Sequence, residues 1–376
     1  MLVVVVLLLA VLAGVGLSYS KGWIGGGSHS ALSDSNLVQI IPSPGTKSQC
    51  ITQTPDGPEA LLPLQYGVLQ TNVYSAPNGT LGQVGMCYNA PTGSLYNYVN
   101  WSQVGGKGGW FSYPQIVYGV NQFEGSTDSY TGQGPSWVLP QSEAAVVDDD
   151  VWVTSTYNYS EPTGNTSTGD DISFDNYLTP GQTPTWKVHP WVEVLILLDH
   201  EIWSNPSNWT NWTMPTMVDS SVSVQPWAIG YWCHGKDNGT NANITFDFSY
   251  GGSPRLVGGL ASGTLGVNLS AVLDEVATML RTASCWTGDS STFPTFYLGQ
   301  EVYGAEAGVH TNSSFAFSWT IDQYCIHVDV VTPSAANVSC AVPEPPTIAG
   351  DAGPSGSSAP AYAAAWAAPR PRVVPR

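Results

Sequence analysis

Trp191-Val-Glu-Val-Leu-Ile-Leu-Leu-Asp-His200 is a run of branched apolar residues about one strand long, interrupted by a single acid near its start. Strand side chains alternate between two faces. Val192, Val194, Ile196 and Leu198 therefore point one way, and Trp191, Glu193, Leu195 and Leu197 the other. Glu193 lies on a face that is otherwise apolar, where an unpaired carboxylate is costly. Two readings follow: a strand end reaching water, or a carboxylate lining a cleft.

The remaining composition extends the strand reading. The 376 residues contain 15 Trp, 18 Tyr, 40 Gly and 28 Pro, and only 10% are charged. Val, Thr, Ser, Tyr and Trp suit sheets, whereas helical domains draw on Ala, Leu, Glu and Lys. Lys and Arg number 10 against 28 Asp and Glu, for a net charge of -18. Such a chain repels nucleic-acid phosphates, so no nucleic-acid partner is expected. The imbalance comes from missing bases more than from massed acids, a weak pointer to acidic surroundings.

Residues 2–17 are almost unbroken apolar sequence, read as a signal peptide or membrane tether within 1–21. The protein is accordingly expected to be secreted or held at the cell surface. Six cysteines, at 50, 87, 233, 285, 325 and 340, are compatible with three extracellular disulfides, and spacing alone leaves every connectivity open. Eleven Asn-x-Ser/Thr sequons are present, and the cluster Asn208-Trp-Thr-Asn211-Trp-Thr suits a glycosylated surface loop.

Residues 22–46 read as a flexible linker, 47–341 as one folded domain, and 342–376 as a disordered Pro/Ala-rich tail. Within the domain, short β-rich runs recur between turn residues. One segment differs: residues 267–281 carry Leu269, Val272, Leu273, Val276, Met279 and Leu280 at helical spacing, with Asn268 as the N-cap. A sheet-rich body with one outer helix predicts an all-β jelly-roll sandwich of two antiparallel sheets.

A second acid stands in strand-forming sequence at Thr295-Phe-Tyr-Leu-Gly-Gln-Glu-Val-Tyr303. Glu301 and Tyr303 share a face there, as Glu193 and Leu195 do. Two carboxylates facing each other across a groove suit glycoside hydrolysis. One is protonated to assist the leaving oxygen; the other is ionised to attack the sugar. Aromatic rings supply surfaces on which sugars stack. Metal chemistry has little support: the histidines form no ligand array, and Asp148–Asp150 and Asp170–Asp171 read as solvated turns rather than calcium loops. No cofactor motif is present, and Asp199-His200-Glu201 reads as a strand end.

Taken in order, these segments resemble the family 12 glycoside hydrolases, secreted endo-β-1,4-glucanases with a jelly-roll fold. Glu193-Val-Leu-Ile-Leu197 resembles the family's Glu-x-Met-Ile-Trp nucleophile strand, and Gly299-Gln-Glu-Val-Tyr303 its Gly-Thr-Glu-Pro-Phe acid/base strand. Phe174-Asp175-Asn-Tyr177 resembles the family's Tyr-Asp-x-Trp stretch, whose Asp supports the nucleophile. Thr71-Asn72-Val-Tyr74 resembles the sugar-binding Asn-Asn-x-Trp strand. Asn100-Trp101-Ser and Tyr113-Pro-Gln-Ile-Val-Tyr-Gly119 resemble two further strands. Leu197 and Tyr74 stand where the family has Trp, and the 108 positions from Glu193 to Glu301 are more than usual. The excess is expected in loops at 205–218 and 233–243.

The resemblance implies a monomeric, cofactor-free endo-β-1,4-glucanase acting on β-glucan with retention. Glu193 would be the nucleophile, Glu301 the acid/base and Asp175 the supporting acid. Substrate contacts are expected from Asn72, Tyr74, Trp101, Tyr113, Asp171, Trp191, Leu195 and Tyr303. For retention the two catalytic carboxyls are expected about 5–5.5 Å apart, and on one face. The family's pairing implies Cys50–Cys87, after which Cys233–Cys285 and Cys325–Cys340 are expected. Two alternatives are a xyloglucan-specific enzyme, because the departures affect substrate-gripping positions, and a non-catalytic carbohydrate-binding surface protein.

Overall fold

The computed structural model describes residues 36–42, 47–107, 109–120, 137–164, 166–182, 190–202, 209–234, 243–251, 258–282, 294–309 and 314–340. The apolar leader, most of the linker and the tail lie outside these residues, as do Cys285 and the stretch 235–242. The described residues belong to one unit ending at Cys340.

Eighteen strands make up most of it. They are β1 Leu37–Gln39, β2 Gln49–Gln53, β3 Leu61–Pro63, β4 Val68–Gln70, β5 Leu81–Asn89 and β6 Ser94–Gln103. Next come β7 Gln115–Gly119, β8 Gln141–Ser142, β9 Trp152–Gly164, β10 Thr166–Pro180, β11 Val192–Ile202 and β12 Thr210–Val218. The last six are β13 Ser221–His234, β14 Asn243–Tyr250, β15 Gly258–Gly259, β16 Ser262–Asn268, β17 Phe296–Val309 and β18 Phe315–His327.

The all-β expectation agrees with this structure, but the two separate antiparallel sheets do not. The ladder is continuous. One limb runs β3–β4–β7–β17–β10–β11–β14–β13. The other runs β12–β16–β9–β18–β6–β5–β2. Strand β13 joins them, pairing with β12 through its first part and with β14 through its last. One pairing, β11 with β14, is parallel.

The limbs face each other across the core. Phe174 on β10 stacks on Tyr324 of β18 with centroids 6.0 Å apart, and Ser155 on β9 donates to Tyr303 Oη on β17 at 3.1 Å. Inward-facing residues alternate as the pleat requires: Val192, Val194 and Ile196 on β11, Phe246 and Phe248 on β14, all fully buried. Each such side chain contributes about 1.5–3 kcal/mol of transfer free energy, an upper figure for a chain that is partly collapsed before folding.

The predicted helix forms as Leu269–Leu280. The Asn268 side chain caps it by accepting from the Ala271 N–H at 2.8 Å, and Leu269, Val272, Leu273, Val276 and Leu280 are buried. It is not the single helix expected: Glu143–Asp148 and Ala335–Val338 are also helical. Two expected non-strand regions are strands. Residues 37–39, placed in the linker, pair with β18, and the neighbouring Ile40 and Ile41 are buried in the core along with Val38. Residues 210–218, placed in a glycosylated loop, form β12, with Met214 and Met217 buried. Thr210, Asn211 and Thr213 are exposed along it, whereas Thr216 is buried and accepts from the Trp227 indole N–H at 3.0 Å. Asp170 and Asp171, read as a solvated turn, lie within β10 and are buried.

Cys50–Cys87 and Cys325–Cys340 are disulfides. Cys233 is also disulfide-bonded, and its expected partner Cys285 lies outside the described residues.

Candidate active site

Strands β17, β10, β11 and β14 lie side by side, so their register assigns each side chain to a face. On β10, Asp171, Ser173, Asp175 and Tyr177 share the face away from the core, while Ile172, Phe174 and Asn176 are buried inward. Tyr177 is opposite Glu193 on β11, and Asp175 is opposite Leu195. Glu193 and Leu195 are in turn level with Thr245 and Asp247 on β14. These residues form an acidic groove floor.

Glu193 is held at both oxygens. The Tyr177 hydroxyl donates to Oε1 at 2.5 Å and the Thr245 hydroxyl to Oε2 at 2.6 Å. Two donors, one to each oxygen, fix the direction of the carboxylate. Asp175 is buried beside this pair. Burial pushes its carboxyl well above the usual range, and the Glu193 charge adds to the rise. Asp247 is pushed up to about 7, chiefly by burial, although the Trp232 indole N–H donates to it at 2.6 Å.

Glu301 does not join this group. It pairs with Asn176 and Tyr118, whose side chains face the core, and it is fully buried with no protein group hydrogen-bonded to either carboxylate oxygen. Burial raises its proton affinity well above that of an ordinary Glu, so it is held as a neutral acid. The cause of the misplacement is local. Leu178 pairs with Leu298 and Tyr177 with Gln300, leaving Gly299 as an extra residue on β17. A β-bulge of one residue reverses the alternation beyond it, sending Glu301 and Tyr303 inward.

The same reversal sends Glu306 outward. It is opposite Asp171 on β10, on the groove face, and the Tyr74 hydroxyl donates to its Oε2 at 3.3 Å. Its carboxyl is raised well above the usual range by burial first, then by the charges of Asp171 and Glu193. Asp171 itself is pushed up to about 8 by burial, opposed by a hydrogen bond from Ser173 at 2.9 Å. The groove thus places an anchored carboxylate, Glu193, within electrostatic reach of a proton-retaining one, Glu306. Sequence reasoning passed over Glu306, although Gly304-Ala-Glu306 repeats the Gly-x-Glu spacing of Gly299-Gln-Glu301.

The expected substrate contacts divide in the same way. Tyr74 is half-exposed and, with Asn72, Gln53, Glu59 and Gln70, lines a pocket of about 320 Å³. Leu195 and Trp191 are partly exposed, and the Trp191 ring lies 6.5 Å from that of Tyr177. Tyr113 is nearly buried in the floor: its ring crosses Gly304, where an added Cβ would meet it at 2.8 Å, and its hydroxyl bonds Ser173 at 2.9 Å. Asp171 is buried on the groove face. Trp101 and Tyr303 contradict expectation, being core residues 1% exposed; Trp101 packs on Phe111 and Tyr303 on Phe174. Among the described residues no group of His, Cys, Asp and Glu could hold a metal ion.

No protein-family profile matches the chain, and no curated protein sequence matches it. Similar solved structures include a native family 12 xyloglucanase from Bacillus licheniformis, 15% identical over 74% of this chain and 100% of that chain, with a TM-score of 0.46. The endoglucanase cel12A from Rhodothermus marinus is 17% identical over 74% of this chain and 100% of its own, with a TM-score of 0.39. Endoglucanase 3 of Trichoderma harzianum, from the same family, is 13% identical over 74% of this chain and 100% of its own, with a TM-score of 0.43. At these identities and TM-scores none of them transfers a role to any residue here.

Proposed function

We propose that this chain is a secreted endo-β-1,4-glucan hydrolase acting with retention, with Glu193 as nucleophile and Glu306, in place of Glu301, as acid/base. The observation that carries the reading is the shared groove face. Glu193 is fixed in direction by a donor on each oxygen, and Glu306 is held by burial and like charge in the form that donates a proton.

Glu193 attacks the anomeric carbon as Glu306 gives its proton to the departing glycosidic oxygen. Glu306, now ionised, then takes a proton from water as that water displaces Glu193 from the sugar. Asp175, beside Tyr177 and Glu193, supports the nucleophile. Tyr74 and Trp191 offer rings at the groove, and neutral acids such as Asp171 and Asp247 can donate to sugar hydroxyls. No step calls for a cofactor, and the substrate is the expected partner. Tyr74, half-exposed and smaller than the tryptophan of the resembling motif, leaves more room at the groove and favours a branched glucan as the second reading.

The test is hydrolysis of a panel of soluble β-glucans, with the anomer of the first product followed by NMR. Release of the β-anomer, abolished in Glu193→Gln and in Glu306→Gln but retained in Glu301→Gln, is the expected result. An α-anomer, or full activity in Glu306→Gln, would refute the assignment.

A further inference from the structure

The nucleophile's hydrogen bonds continue past their first partners. Thr245 is almost fully buried, and its one hydroxyl proton goes to Glu193 Oε2 at 2.6 Å. The Thr245 hydroxyl oxygen, Oγ1, lies 2.9 Å from Nε2 of His234 on β13. With its proton committed to Glu193, Thr245 Oγ1 can only accept from His234, so Nε2 carries hydrogen. The imidazole is positioned by Trp191, whose ring stacks on it at 23° with centroids 6.3 Å apart. Trp191 is itself held through its backbone N–H, which donates to Asn243 Oδ1 at 3.1 Å.

Resting on the reading above, we infer that His234 and Thr245 are positioning residues that orient the nucleophile through the path His234 Nε2–H to Thr245 Oγ1–H to Glu193 Oε2. Nothing in the chemistry of the first step requires them to touch sugar. They matter because a carboxylate gripped at one oxygen only, by Tyr177, can rotate its free oxygen away from the anomeric carbon. The titratable groups facing Glu193 are Asp175 and Tyr177 on β10, Asp247 on β14 and Tyr74, with His234 on β13 reaching it through Thr245; Asp171 and Glu306 act on the same groove from β10 and β17.

The experiment compares wild type with Thr245→Val, Thr245→Ser, His234→Phe and the double variant Thr245→Val/His234→Phe. Phe keeps the stacking on Trp191 and removes the donor. Each protein is checked for folding by circular dichroism, and kcat and KM on a soluble β-glucan are measured across pH. Thr245→Val is expected to lower kcat roughly 10- to 100-fold with little change in KM, because a charge-assisted hydrogen bond is lost. The acid limb of its kcat/KM profile moves to higher pH, since the ionised nucleophile has lost a donor. Thr245→Ser restores both. His234→Phe shifts the limb the same way by less, and the double variant behaves as Thr245→Val alone, because His234 acts only through Thr245. An unmoved acid limb in folded Thr245→Val, or additive effects in the double variant, would overturn the inference while leaving the glucanase reading intact. Absence of hydrolysis by wild type would overturn both.

Discussion

Replacing Glu306 by Gln keeps its size and its contact with Tyr74 but removes the proton it would donate. The expected loss in kcat on glucans is 100-fold or more, and smaller on aryl glycosides whose leaving group needs no proton. Glu301→Gln should do the opposite. The buried acid is already neutral, so an uncharged isostere costs little at low pH and removes the need to keep a proton when pH rises. Thermal unfolding at pH 4 should then be near wild type, and at pH 8 the variant should be the more stable protein. Both residues sit in good strand sequence two or three positions from an aromatic or a glycine, and composition does not separate them. What separates them is the bulge at Gly299, which side-chain alternation alone does not reveal. The nucleophile strand contains no such break between Val192 and Leu197, so its two faces were legible directly.

At the scale of elements, the bulge depends on a second glycine. Gly119, at the end of β7, has φ +105°, and an added Cβ would come 2.5 Å from the Gly299 carbonyl oxygen. Gly119→Ala therefore meets both a forbidden backbone region and a backbone clash. It should destabilise the protein by more than about 1 kcal/mol and lower activity by disturbing the phase of β17, measurable as a lowered denaturation midpoint with reduced kcat. The outer helix is a gentler case. Asn268→Ala removes its cap and should cost about 1 kcal/mol without touching the groove. Helical spacing and a capping Asn are local signals, and they were readable in sequence. Strand β12 was not, because Asn, Thr and Pro mark loops by composition and become strand residues only when a neighbouring strand supplies hydrogen bonds.

For the molecule as a whole, the dominant electrostatic fact is a shortage of bases. Among the described residues the only Lys or Arg are Lys47, Lys107 and Arg281. Asp171, Asp175, Asp247, Glu301 and Glu306 all have proton affinities raised by burial. The folded chain therefore holds protons that the unfolded chain has released. Their contribution to stability is complete below the ordinary carboxylate range of about 4 and is lost as pH climbs through about 7 for Asp247 and 8 for Asp171. Melting temperature should be highest in acid and fall toward pH 8. A stability maximum at neutral pH or above would contradict this account.

The short pairing of β1 with the end of β18 has a practical consequence. Leu37–Gln39 pair with Cys325–His327 along one edge, and Val38, Ile40 and Ile41 are buried beside that pairing. A chain begun at Lys47, where sequence reading starts the domain, would uncover an open strand edge next to vacated apolar seats. Unpaired edges of this kind invite other chains to dock. Such a truncation should sediment as aggregates, whereas one begun at Asn36 should stay dispersed, so the segment ahead of the domain serves the protein as its guard against self-association.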